Sequence, residues 1–237
     1  HGCRILIYNQ WEEYFNQQLI PVIEGSHTFF TFMEEPLENP LNRIAKRFLD
    51  LVVSIPVVVL MLPLVAGIAW MAQRFQSPGP LLFRQQRGGR RGQPFEIYKF
   101  RTMHVDNPDE SQQAAKEDNR VFSFGEFMRK TSLDEFPQFL NVLRGQMSVV
   151  GPRPHMIIHD QEFSRIVDIY RNRHFIKPGI TGLAQIRGFR GEVTDSSLIA
   201  ERVRYDLEYI QKWTIWLDIG IILKTFWQIF FPPKSAY

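Results

Sequence analysis

Two acids stand side by side in the stretch KTSLDEFPQF: Asp134 and Glu135, with Thr131 and Ser132 before them and Pro137 after. An aspartate so placed can act as a nucleophile toward phosphorus, as in aspartyl-phosphate enzymes. A neighbouring acid can hold Mg2+, which takes one or two carboxylates and otherwise prefers substrate phosphates and water. The competing reading is structural. Ser132 and Glu135 fit the S-x-x-E capping box, and acids in a first turn complement the helix dipole. Proline also belongs in a first turn. A cap at Ser132 would leave Pro137 beyond that turn, whereas a cap at Leu133 or Asp134 puts the acids at the helix entrance. Taken alone, the two acids favour capping, the commoner arrangement.

Phosphoryl transfer also needs cations to neutralise phosphate oxygens. Lys99 and Arg101 alternate in YKFRTM and, on a strand, would point the same way. Arg129 lies shortly before Asp134. Arg153 is held between Pro152 and Pro154, and its planar fork suits phosphate. Each reads singly as a surface charge; around an acid pair they point to diphosphate chemistry. His155 and His159 stand at i,i+4 but lack the glutamate of an HExxH zinc site. No Walker A, GxGxxG or GxSxG motif is present.

These residues need elements to position them. From Leu51 to Gln73 no residue is charged, a length close to the roughly 20 residues of a bilayer-spanning helix. Pro63 lies mid-stretch and removes a helical hydrogen bond; Pro56 adds a second irregularity. Arg43, Lys46 and Arg47 flank the start, and Arg74, Arg84, Arg87, Arg90 and Arg91 follow the end. Basic residues favour the cytoplasmic side. The expectation is therefore a re-entrant membrane helix over 48–73, broken at Pro63, ahead of a spanning or a buried core helix.

Apolar runs at Leu81–Phe83 and Phe95–Phe100 bracket the loop RGGRRG and predict a small β-hairpin with a long tip. A single RGG copy beside a membrane segment argues against a nucleic-acid element. Residues 106–120 are polar and read as a loop or exposed helix. Helical patterns follow at 124–130, 134–144 and in EFSRIVDIYRNR; KPGITGLAQIRGFRG reads as loop. SSLIAERVRYDLEYIQKW reads as a helix capped by Ser196 or Ser197. The C-terminal stretch from Trp213, rich in tryptophan and phenylalanine, reads as amphipathic and interfacial, with a core helix as the alternative. The fold class is α+β, mainly helical.

Upstream, HGCRILIY reads as a strand, NQWEEYFNQQL as a short helix and EEPLENPLNR as a linker. Residues 1–41 are thus expected to be the tail of an upstream domain plus linker, and 42–237 one membrane-embedded domain. The net charge of +3 suits an anionic substrate or surface without choosing between them. Cys3 is the one cysteine, so no internal disulfide can form. That fits a reducing compartment.

The ordered set KRFLDLVVSIPVVVLMLP, PGPLLFRQQRGGRRGQPFEIYKFRTM, RKTSLDEFPQFLNVLRGQMSVVGPRPH and KPGITGLAQIRG resembles the bacterial sugar transferases, the monotopic phosphoglycosyl transferases, from Asn42 to the C-terminus. The resemblance implies transfer of a sugar 1-phosphate from a UDP-sugar, UDP-glucose or UDP-galactose, to undecaprenyl phosphate, with release of UMP. It implies Asp134 as nucleophile carrying a phosphosugar, Glu135 with Asp134 as Mg2+ ligands, and Lys99, Arg129, Arg153, Arg187 and Arg190 as phosphate- or substrate-binding positions; Arg101 joins them by its strand spacing, and Asp206 resembles a further polar position expected at the substrate. The family's helix breaks at a Ser-Pro pair; here the pair is Leu62-Pro63. The implied partners are the lipid bilayer, undecaprenyl phosphate, the UDP-sugar and a second copy in a homodimer, with no nucleic acid. The implied place is the cytoplasmic face of the bacterial inner membrane, at the first membrane step of exopolysaccharide, capsule or O-antigen synthesis. The alternative is a non-catalytic membrane-anchored scaffold for polysaccharide assembly.

Overall fold

The computed structural model describes residues 19–24, 27–32, 35–105, 118–189 and 195–231, the first two segments by backbone alone. The strand expected at residues 1–8, most of the helix expected from Asn9 and nearly all of the polar stretch 106–120 lie outside them. Strands β1 (Leu19–Glu24) and β2 (His27–Phe32) pair antiparallel. No hairpin was expected there, and Leu19 belongs to β1 rather than to a helix.

The expected linker is itself the helix start. Asn39 caps helix α1 (Pro40–Pro56), its side chain accepting from the Leu41 N–H at 2.9 Å, with Pro40 at the first helical position. Helical conformation then continues through a π segment, Val57–Met61, into α2 (Leu62–Gln76). The break expected at Pro63 does not occur: helical conformation runs through Pro63, and the irregularity is the π segment just before it. The Leu62 N–H reaches back to the Val57 carbonyl, and the extra residue in the turn relieves the clash a proline ring makes with the carbonyl four residues earlier.

One face of this long helix is tied to the rest of the protein along its whole length. Lys46 Nζ donates to Asp218 at 2.7 Å, to the Tyr209 hydroxyl at 2.8 Å and to the Val150 carbonyl at 3.0 Å. Asp50 accepts from Ser148 Oγ and the Val149 N–H, both at 2.8 Å. Arg47 donates to the Val142 and Leu143 carbonyls. Farther on, Leu62, Val65, Ala66 and buried Ala69 pack against Phe100 and Met128. At the far end Gln73 donates to the Arg101 carbonyl at 2.8 Å. The opposite face, including Phe48, Val52, Leu60, Leu64, Trp70 and Phe75, is apolar and exposed.

Strands β3 (Leu82–Gly88) and β4 (Pro94–Phe100) form the expected hairpin, in a register pairing Phe83 with Lys99 and Arg87 with Phe95. Phe95, Ile97 and Lys99 share one face; the first two enter the main core with Val142, Val149 and Tyr170. Helix α3 (Ser123–Thr131) and short helix α4 (Gln138–Leu143) follow. Asn141, fully buried, bonds the Tyr98 N–H and the Glu96 carbonyl and so fastens α4 to the edge of β4.

Beyond α4, β5 (Ser148–Val150) pairs parallel with β6 (Gly179–Thr181), and α6 (Leu183–Ile186) comes straight after, where the sequence read as loop. Between the two strands, the single helix expected in EFSRIVDIYRNR is divided: α5 (Ile157–Ile166) stops at extended Val167, and a 3-10 segment, Asp168–Phe175, continues. Helix α7 (Ser196–Gln211) is capped by Asp195 rather than by a serine. In α8 (Ile215–Phe230), Asp218 and Ile221 face the core, whereas Trp216, Leu223, Phe226 and Trp227 are exposed. The buried side of α8 is held to α1 by the ion pair between Asp218 and Lys46. Tryptophan in general is enriched where membrane meets water.

Candidate active site

Helix α3 ends at Ser132, whose φ of 58° and ψ of 20° are left-handed. For a residue other than glycine this costs about 1–2 kcal/mol, and such strain clusters at functional sites. The reversal sends the chain into one 3-10 turn, Leu133–Glu135. Leu133 and Phe136 are superposed by the three-residue repeat, and both pack toward α2. Asp134 and Glu135 project from other sides of the turn, and both are buried. Ser132 makes no capping bond to this turn, and the N-cap of α4 is Pro137. Ser132 thus stands at the expected N-cap position without its capping bond, and the acids occupy a separate turn ahead of α4, not its first turn.

Three elements bring charge to that turn. From β4, Lys99 Nζ reaches Glu135 Oε1 at 2.9 Å. From the loop after β5, Arg153 Nη2 reaches the same oxygen at 2.7 Å, with Nη1 3.4 Å from Oε2. From α3, Arg129 donates to Thr102 Oγ1 at 2.8 Å and lends its charge to Asp134. The two acids diverge as a result. Burial alone would push the Glu135 carboxyl up, but the charges of Arg153 and Lys99 hold it well below the usual range. Burial pushes Asp134 up to about 6, with the Glu135 charge adding to it and the cations only partly opposing. Adjacent carboxylates driven apart in this way take different chemical roles. Near neutral pH Asp134 is an ionised carboxylate of unusual basicity, and among the described residues no side chain donates a hydrogen bond to it.

Of the residues expected to bind phosphates, Lys99, Arg129 and Arg153 gather at the acid pair. Arg101 does not. Arg101 follows the last residue of β4, and its N–H still pairs with the Leu81 carbonyl at 3.0 Å, so it is the side chain that turns away from the acids. Its guanidinium instead donates to the Pro80 carbonyl at 2.9 Å, to Ser77 Oγ at 2.8 Å and to the Met103 carbonyl at 2.8 Å, tying the hairpin base to the end of α2. Asp206 also lies away from the acids, buried on α7 and accepting from Arg173 Nη2 at 2.8 Å. Arg187 is exposed, its guanidinium 5.9 Å from the centre of the Tyr205 ring. Arg190 lies outside the described residues.

The loop RGGRRG is bound to the segments that carry His155 and Phe175. The Gly88 N–H donates to the His155 carbonyl at 3.2 Å, and Arg90 Nε to the Phe175 carbonyl at 3.1 Å. Arg87, which sequence reasoning passed over, is lowered to about 10, first by burial and then by the nearby Arg153 charge; Glu135 opposes this. Its place opposite Phe95, on the same face of the hairpin as Lys99, was the available signal. His155 is buried and held neutral, by burial first and then by Arg173, Arg202, Arg87 and Arg153. Among the described residues no group of three or more His, Cys, Asp or Glu is placed to hold a metal ion.

Comparison with known proteins adds a lineage to this geometry. A 48% identity over 205 residues links the chain to a Klebsiella pneumoniae protein named UDP-glucose:undecaprenyl-phosphate glucose-1-phosphate transferase, covering 86% of this chain and 43% of that one. Proteins of the same name from Escherichia coli strain K12 and Caulobacter vibrioides are 46% and 47% identical, over 86% and 79% of this chain and 44% and 72% of theirs. The chain thus spans less than half the length of the first two. Residues 41–232 match the model of the bacterial sugar transferases. That span takes in the long apolar helix, the hairpin, the acid turn and the cations around it, and the chain belongs to the bacterial sugar transferase family.

Proposed function

We propose that this protein transfers a sugar 1-phosphate from a UDP-sugar, with UDP-glucose the first candidate, to undecaprenyl phosphate at a membrane surface. The observation that carries the proposal is the split acid pair: a basic, unclamped Asp134 beside a Glu135 pinned by Lys99 and Arg153, in a turn packed against the apolar helix. An Asp134 carboxylate oxygen attacks the β-phosphorus. The bond to the bridging oxygen breaks, and UMP leaves with those electrons. A phosphate oxygen of the lipid then attacks the phosphosugar, and the Asp134 carboxylate is released. Lys99, Arg129 and Arg153 offset charge on the phosphate oxygens. The names of the relatives support glucose; galactose is the other sugar to test.

Mg2+ fits the donor set. Glu135 Oε1 is taken by two cations, but Oε2 receives only the long 3.4 Å contact, and Asp134 keeps its lone pairs. Few carboxylates with no protein cage suit an ion that completes its shell with water and substrate phosphates. Glu135 Oε2 and Asp134 would hold it, and when bound it neutralises diphosphate charge. Purified protein given Mg2+, UDP-glucose and undecaprenyl phosphate is expected to release UMP, and chelation is expected to stop release. A protein that releases no UMP from any UDP-sugar, or keeps its full rate in excess EDTA, overturns the respective part.

The helix supports a re-entrant rather than a spanning path. Lys46 and Asp50 near one end and Gln73 near the other are fastened to the same folded body. A spanning helix would drag that body through the hydrocarbon, where unsatisfied backbone is not tolerated. Leu41 and Phe75, both exposed, give labelling sites. Cysteines at these positions are expected to react from the same side of sealed vesicles. Reaction from opposite sides would show that the helix spans.

A further inference from the structure

Behind the Arg153 loop lies a buried polar cluster that the proposed chemistry does not use. At its centre is Arg173, on the 3-10 segment and 3% exposed. An arginine has five N–H donors in a fixed fork, and here each has a partner. Nε and Nη2 donate to Asp206 Oδ2 at 3.1 and 2.8 Å. Nη2 also donates to the Arg153 main-chain carbonyl at 2.7 Å. Nη1 lies 2.8 Å from the Tyr170 hydroxyl and 2.8 Å from His155 Nδ1. Tyr170 in turn donates to Asp160.

The loop this cluster grips has few other ways to stay in place. Pro152 and Pro154 contribute no N–H. The flanks are pinned by bonds from Gly179 N–H to the Pro152 carbonyl at 2.9 Å, from Gly151 N–H to the Thr181 carbonyl at 2.8 Å and from Gly88 N–H to the His155 carbonyl. Arg153 itself is fixed at one end by Arg173 on its carbonyl and at the other by its guanidinium on Glu135. We infer that Arg173, oriented by Asp206, is a positioning residue: it fixes the Arg153 backbone so that the Arg153 guanidinium sits on Glu135 beside Asp134. Asp206 thereby gains a role that needs no contact with substrate. The consequence for turnover rests on the function proposed above; the mechanical link to the loop does not.

A neutral side chain cannot replace the grip, and lysine, with three donors from one point, cannot make five bonds to four partners. In Arg173→Gln and Arg173→Lys, amide hydrogen exchange in residues 151–156 is expected to speed up at least tenfold while α4 keeps its protection. Turnover is expected to fall about 100-fold, the scale of an ångström-sized misplacement in a site. Residues that act through one another are non-additive, so Arg173→Lys in an Arg153→Lys background is expected to cost little further turnover. The variants separate the outcomes. Unchanged exchange of 151–156 in either folded variant overturns the link to the loop, whether or not the wild type turns over. Additive losses in the double variant, with an active wild type, overturn the action through Arg153. A wild type without turnover, but with faster loop exchange in the variants, upholds the positioning and removes the function proposed for the site. If Arg173→Gln loses protection throughout, the Arg173→Lys result decides.

Discussion

Asp134→Asn is expected to abolish UMP release and, in metal-free buffer, to make the protein more stable above about pH 6. The loss of activity follows from chemistry, since an amide oxygen cannot form the proposed phosphosugar ester as a carboxylate can. The gain in stability follows from linkage. Burial raises the Asp134 carboxyl to about 6 in the folded protein, against about 4 for an aspartate in an unfolded chain. Between those values the folded state binds more protons, so stability falls as pH rises through the window. Above it, the cost of keeping Asp134 ionised is on the order of 2–3 kcal/mol, at 1.36 kcal/mol per pH unit. Asparagine fills the same space without that cost. Thermal melting of wild type and variant at pH 4 and pH 8 tests the point: the variant's advantage should be small at pH 4 and large at pH 8. An active variant would sink the covalent route, and an advantage that does not depend on pH would sink the electrostatic account.

Glu135→Gln is expected to have the second-largest effect, in the opposite direction for stability. Its carboxylate separates two cations, with Lys99 at 2.9 Å and Arg153 at 2.7 Å, and the three side chains are at most about a quarter exposed. Removing one member of such a pair leaves the others uncompensated and costs about 3 kcal/mol. The freed cations can then turn to Asp134, lowering its basicity and hence its power to attack. A fall of about 100-fold to 1000-fold in turnover is expected, the scale of losing one preorganised electrostatic partner. Glu135 is held below the usual range, so its stabilisation is fully present above the ordinary glutamate value and is lost only as pH falls through the lower folded one. The melting difference between wild type and Glu135→Gln should therefore stay constant from about pH 5 to 8. It should close only in stronger acid. A variant that melts with the wild type at pH 7, or keeps its turnover, would show that the glutamate is not the hinge of the charge arrangement.

Much of this site was legible one residue at a time. The acid pair, the proline-bracketed Arg153, Lys99 on its strand and Arg129 before the turn are all local features of type and spacing. The hairpin was legible because its two apolar runs and glycine-rich tip leave few alternatives. The π segment was foreshadowed by Pro63, since a helix must give way somewhere before a proline. Other expectations failed for physical reasons. Strand alternation joined Arg101 to Lys99, but the Arg101 guanidinium is taken up by Pro80, Ser77 and Met103 at the end of the hairpin. The capping box assumed an extended Ser132 whose side chain bonds into the next turn, whereas Ser132 ends one helix and heads the next turn in a left-handed conformation, with no capping bond. The linker reading counted two prolines as breakers, although the second stands where a helix begins.

By itself, then, the sequence determined which chemistry is available: a carboxylate pair, the cations that suit phosphate, and an apolar helix with an irregularity near Pro63. These follow from side-chain type, short spacings and backbone covalency. Only the tertiary structure decided which cations meet which acid. That rests on contacts between residues far apart in the chain, Lys99 and Arg153 with Glu135, Arg173 with Asp206 and the Arg153 carbonyl. It also decided the difference between two adjacent carboxylates. Burial raises the proton affinity of both, and which one is rescued depends on where a strand and a loop deliver their charges in space.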